Sequence, residues 1–413
     1  MITRTANGFY LPSYFYITIE SDENIDVCIE NNEQTFIHEY IHFLQDLILP
    51  YCIRQTLISN RDFTLIVGTA YEDKLMARPF KKWDEDSEIT YKQFDYTWGG
   101  NDFIDNKHKI KNIESEYFEI DTKSKVYKYI LTLNDGSKYQ VGARDFLEYI
   151  AHKIESKNWN VNHHPAFPYK TVDLIFEYYG LDWITDEVKI CIIEFTLYND
   201  NPMNQLVSVL IDSIKATPEH FNSYETSKNL LLRTMWNSTG GFSETMFTKT
   251  ERRLKDLQES LNGKYANENF IQIQKWISLI INFSKKELSN KFIFTELFML
   301  DKNEFNKKIS FFLKQIGIPM VFNNKDECTS LLPEDFNQND FIPLYIVNKF
   351  MSFSLSNESV CPLKQFCTTS LNEIIDYNCT NNLKMRANTK ELCNFGVFIK
   401  SYGLHNIQWQ TTT

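Results

Sequence analysis

A chain of 413 residues, 43% hydrophobic and 15% aromatic, has enough apolar material to bury a sizeable core, which excludes wholesale disorder. Its net charge of −11 and the lack of any basic block exclude sequence-independent nucleic-acid binding, because phosphates need clustered Lys and Arg. No signal peptide is read at "MITRTANGFYLPSYFYITIE", no apolar run reaches bilayer length, and the eight cysteines lack the tight spacing of a small secreted scaffold. The expectation is a cytoplasmic protein with reduced thiols and no membrane or nucleic-acid partner.

In chain order, the aromatic and β-branched run 13–20 predicts a strand. A helix follows over about 33–49, with Asn32 as N-cap and Pro50 as its stop. Residues 60–142 read as β-rich: "DFTLIVGTAY", "ITYKQFDYTW" and "SEYFEI" are strand-like, and "YKYILTLNDGSKYQVG" reads as two strands around Asn134-Asp135-Gly136. From Ala143 the pattern turns helical, with Phe146, Leu147, Ile150, Ala151 and Ile154 on one face. A Pro- and His-rich loop at 162–170 precedes helices at 171–179 and 186–201, and residues 203–318 are largely helical. The fold class expected is therefore α+β and predominantly helical. The expected division is 1–205, a helical region 206–320 and a Cys-rich region 321–413.

The first helix contains "EQTFIHEYIHFLQD". His38 and His42, at i and i+4, project from one side of a helix about 5–6 Å apart, close enough to share one metal ion. Neutral imidazole suits Zn²⁺, and Glu39 stands beside such an ion, placed to take a proton from water whose pKa the ion has lowered to about 7. The helix is apolar on nearly every side (Phe36, Ile37, Ile41, Phe43, Leu44, Leu47, Ile48). Two His and a Glu inside it would be costly unless paired, and a metal would pair them. The bland alternative is two half-exposed histidines on an ordinary amphipathic helix.

"HEYIH" resembles the H-E-x-x-H signature of zincin metallopeptidases. The metzincin form needs a Gly and a third His downstream, where this chain has Gln45 and Ile48, so the resemblance is to the thermolysin-like gluzincins. The wider pattern is similar to a group of uncharacterised bacterial H-E-x-x-H proteins. It comprises His38–Asp46, Gly142-Ala143 with Glu148 and Ala151, Phe167-Pro168-Tyr169, and Glu194 ahead of Asn201-Pro202. The likeness covers about residues 30–205 and implies a zincin-like core holding the β-rich insertion, with a helical C-terminal half.

In gluzincins the third ligand is a Glu on a following helix, which points to Glu148. His152, one turn on, stands where thermolysin-like sequences carry an Asp. Glu194, a lone carboxylate in the apolar run "CIIEFTL", is the competitor, as a ligand or as the partner that orients a ligand His. Asp46 could serve in the same outer shell. An oxyanion donor could come from His152, His163, His164, Tyr149 or Tyr169. Cys361, Cys367, Cys379 and Cys393 could form a structural thiolate site. They lack C-x₂₋₄-C knuckles, and scattered buried thiols are the simpler reading. The expected function is Zn²⁺-dependent hydrolysis of a peptide bond in a specific protein or peptide substrate. The alternatives are a non-catalytic zinc-containing binding or regulatory protein, and a zinc hydrolase of other amides.

Overall fold

The computed structural model describes residues 3–4, 7–105, 107–120, 124–159, 164–237, 243–288, 291–371, 375–389 and 392–411. The fold is α+β and mostly helical. The aromatic N-terminal run forms an antiparallel pair, β1 (Gly8–Leu11) and β2 (Tyr16–Ile19). Against both strands packs α1 (Glu33–Ile48), buried on all faces from Thr35 to Ile48. Gly8 permits the close approach. A Cβ there would stand 2.8 Å from Thr18 O and Thr35 Cγ2, and 3.6 Å from Glu39 Cγ.

Helix α1 ends because Leu49, ahead of Pro50, is extended (φ −80°, ψ 121°). Pro50 also opens α2 (Pro50–Asp73), at the position where a missing N–H is not needed. Residues 62–71, expected as a strand, are the last turns of this helix. Phe63, Ile66 and Ala70 are buried there while Thr64 is exposed, a helical rather than alternating period. Residues 89–98 likewise belong to α3 (Glu85–Trp98), whose N-cap Asp84 accepts the Ser87 N–H at 2.7 Å. The stretch expected to be β-rich is thus helical in its first half, apart from a short strand Leu75–Arg78 paired with Gln408–Thr411.

The second half of that stretch forms an antiparallel meander of β3 (Ile110–Glu119), β4 (Lys125–Leu133) and β5 (Lys138–Val141). Its last turn falls at Asn134–Gly136, with Gly136 at φ 87°. Gly142 then leads into α4 (Ala143–Asn158) under the end of α3, so close that a Cβ on it would lie 2.4 Å from Thr97 O. Asp145 closes this joint. It accepts from the Gly142 N–H at 3.0 Å and from the Tyr139 and Thr171 hydroxyls at 2.8 Å each. In this way the start of α4 is tied to β5 and α5, and the helix packs along α1.

Next come α5 (Thr171–Tyr178) and α6 (Asp186–Thr196), both packed on α4. In the helical remainder, α7 (Met246–Lys264) packs on α2, and α8 (Ile293–Met299) packs on α6 and α4. The chain then returns to its first sheet. Here β6 (Ile318–Phe322) runs parallel to β2 with Val321 opposite Ile17, and β7 (Cys328–Leu331) forms the far edge. No helix among the described residues is long and apolar enough to cross a membrane.

All eight cysteines are free thiols, and none joins a metal-ligating cluster among the described residues. Cys361 N–H donates to Cys379 O at 2.7 Å, and Cys393 Sγ accepts from Gly396 N–H and Arg386 Nε at 3.3 Å each.

Candidate metal centre

Helix α1 turns His38 and His42 toward α4, and α4 answers with Glu148. The two Nε2 atoms stand 3.2 Å apart; Glu148 Oε2 lies 3.2 Å from His38 Nε2 and 3.5 Å from His42 Nε2. Ligands at about 2.0–2.1 Å on a tetrahedral Zn²⁺ are roughly 3.4 Å from one another, so the triangle has the size of one face of that tetrahedron. All three residues are buried, and Glu148 Oε1 has no hydrogen-bond partner among the described residues.

The protons sharpen this geometry. His38 Nδ1 donates to Glu155 Oε2 at 2.9 Å, because an ionised carboxylate can only accept. Gln45 Nε2 donates to the Leu147 carbonyl at 3.1 Å, which turns Gln45 Oε1 toward His42 Nδ1 at 2.7 Å and makes that nitrogen a donor too. With both Nδ1 atoms carrying the proton, the neutral rings present bare Nε2 lone pairs. Two lone pairs and a carboxylate oxygen then face one another in a buried space. That arrangement repels itself until a cation enters it.

No protein-family model, curated protein or solved structure matches the chain. The functional reading therefore stands on these side chains.

Without a metal ion, protons must supply the positive charge. Burial opposes a charged His38, yet the Glu155 carboxylate and the hydrogen bonds to Glu148 and Glu155 raise its pKa well above the imidazole range. Burial would raise Glu148, but His42 and His38 hold it well below the usual carboxylate range. The charge on Glu155 is fixed similarly, with burial overcome by His38 and His152. A divalent cation would replace those protons.

Glu39 is fully buried beside His38 on α1. Its charge raises the pKa of both His38 and Tyr169. The Tyr169 ring meets His38 edge-on at 6.3 Å between centroids, and its buried hydroxyl has no hydrogen-bond partner among the described residues. Burial, followed by the charges of Glu148, Glu39 and Glu155, pushes its pKa far above the phenol range, so it stays a donor.

The other expected residues are placed elsewhere. Glu194 lies outside the His38–His42–Glu148 group. Its carboxylate accepts from Phe294 N–H (3.3 Å), Thr295 N–H (3.0 Å) and the Thr295 hydroxyl (2.9 Å), at the start of α8. Asp46 does not orient His42, a task that falls to Gln45. It accepts from the Tyr10 hydroxyl, Ser13 N–H and the Thr56 hydroxyl, tying β1 and α2 to α1. Tyr149 donates to Asp173 at 3.1 Å, and His163 lies outside the described residues. His152 and His164 lie near Tyr169, tilted and edge-on respectively, at 5.1 and 4.7 Å between centroids.

Sequence reasoning missed Glu155, Gln45 and Gln34, whose Nε2 donates to Glu155 Oε1 at 2.7 Å. Helical spacing carried the signal. Glu155 follows Glu148 by seven residues on the same face, Gln34 precedes His38 by four, and Gln45 follows His42 by three.

Proposed function

We propose that the chain is a zinc-dependent metallopeptidase with a zincin-like core, in which His38, His42 and Glu148 hold the ion and Glu39 is the general base. The observation that carries this reading is the triangle of two lone-pair nitrogens and one carboxylate oxygen, with both Nδ1 protons committed elsewhere. An N₂O donor set suits Zn²⁺ and leaves a position open for chemistry. Bound there, Zn²⁺ supplies Lewis acidity, acidifying water and polarising a carbonyl oxygen.

The chain's own residues do the remaining work. Glu39 takes the proton of the attacking water and returns it to the leaving amine. The Tyr169 hydroxyl donates to the oxyanion that forms as the carbonyl is attacked. Glu155 and Gln45 hold the imidazoles in the tautomer that exposes Nε2. The substrate proposed is a peptide bond in a protein or peptide, and the compartment proposed is the cytoplasm.

The depth of the site supports a second reading. His38, Glu39, His42 and Glu148 are all buried, which also suits a structural zinc in a binding or regulatory protein. Glu39→Gln separates the two. A peptidase loses at least about 10²-fold in cleavage of a proteome-derived peptide library while keeping its zinc and melting temperature. If the wild type and the variant leave the library equally uncut, the peptidase reading fails.

A further inference from the structure

Helix α4 and the loop before α5 bring together a second set of ligating groups beside the proposed peptidase centre. His152, Glu155 and His164 offer donor atoms that all lie within 4.8 Å of one another. His152 Nδ1 stands 3.6 Å from Glu155 Oε2, too far for a hydrogen bond but close to the ligand–ligand distance of roughly 3.4 Å around a tetrahedral zinc. That nitrogen is buried and has no hydrogen-bond partner among the described residues, so it is a polar atom aimed at the cluster. The His164 ring completes the group from the loop before α5, its centroid 4.8 Å from that of His152.

Glu155 can serve this cluster and His38 together. Its Oε1 accepts from Gln34 and its Oε2 from His38, but a carboxylate offers about four lone-pair directions, so capacity remains for an ion. Two neutral imidazoles and one carboxylate form the same N₂O set as the first site, and it is chemistry for Zn²⁺ rather than for Ca²⁺ or Mg²⁺, which prefer all-oxygen shells.

We infer that His152, Glu155 and His164 form a second divalent-cation site of zinc type, joined to the His38–His42–Glu148 site through the Glu155–His38 hydrogen bond. A cation on Glu155 draws negative charge away from the group that holds His38 Nδ1–H, which makes His38 a weaker donor to the first ion. The two sites therefore bind with negative coupling.

The test is a count of metal on the purified full chain, stripped with a chelator, reloaded with Zn²⁺, desalted and analysed by elemental mass spectrometry. The expected result is two ions per chain for the wild type and one for His164→Ala and for His152→Asn. His42→Ala is expected to lose the other ion and keep one. Circular dichroism shows that each variant is folded before it is counted. One ion in the wild type, kept in His164→Ala and lost in His42→Ala, overturns the second site while leaving the first reading intact. Two ions in both His164→Ala and His152→Asn overturn it as well.

Discussion

His38 and His42 each commit one ring nitrogen to a fixed acceptor, and that commitment gives their other nitrogens a role. Glu155 and the oriented amide of Gln45 settle the tautomers before any ligand arrives. Gln45→Ala frees His42 to rotate and to place its proton on Nε2. Zinc affinity at the first site is then expected to fall by roughly 10-fold or more, read by competition with a chromophoric chelator. An unchanged affinity would show that Gln45 does not orient the ring. The pair His38 and His42 was legible in the sequence because i,i+4 spacing is a local property of one helix. Glu148 needed the packing of α4 on α1, which only a resemblance could suggest. Gln45 and Glu155 carry no such local mark, because a Gln or Glu at a helical position reads as a solvated surface residue until the partner helix is known.

Among the elements, the misread ones share a cause. Residues 62–71 and 89–98 are rich in β-branched and aromatic residues, and propensity alone makes them strands; their burial follows a period of 3.6 instead. For α3 the correcting signal was present, an Asp84 N-cap followed by Glu85, Asp86 and Glu88 in the first turn. In the sequence Glu194 stands as a ligand candidate because a lone buried carboxylate wants a partner. Its partner is the start of α8, which no local pattern connects to it.

The joint between α6 and α8 has a pH signature. Burial pushes Glu194 up to about 8 from an ordinary 4.5, against the pull of the Thr295 and Phe294 donors. Because the folded-state pKa is the higher one, the stability contribution is complete below about 4.5 and is lost as pH rises through about 8. Glu194→Gln cannot ionise. Thermal melts from pH 5 to 8 are expected to fall less steeply for the variant than for the wild type, by at most about 1.4 kcal/mol per pH unit. Parallel curves would show that Glu194 stays ionised in the fold.

Across the whole molecule, widely separated stretches of the chain share one sheet, since β6 pairs beside β2. Lys264 on α7 donates to Asn60 on α2 at 2.9 Å, and the Tyr402 hydroxyl donates to the Lys264 carbonyl at 2.6 Å. Helix α1 runs through the middle of this assembly, so the candidate metal centre sits on a fully buried, packed scaffold, as a pre-organised site requires. Periodicity could announce that α1 is buried, from its apolar residues on nearly every side. It could not announce the parallel pairing of β2 with β6, because register between segments distant in sequence leaves no local trace.

Zinc content of Glu148→Ala, set beside Glu194→Gln and the wild type in one elemental analysis, bears most directly on the central claim. The expected result is one zinc per chain fewer in Glu148→Ala, with the wild-type content kept in Glu194→Gln. Full zinc in a folded Glu148→Ala protein would contradict a centre built from His38, His42 and Glu148.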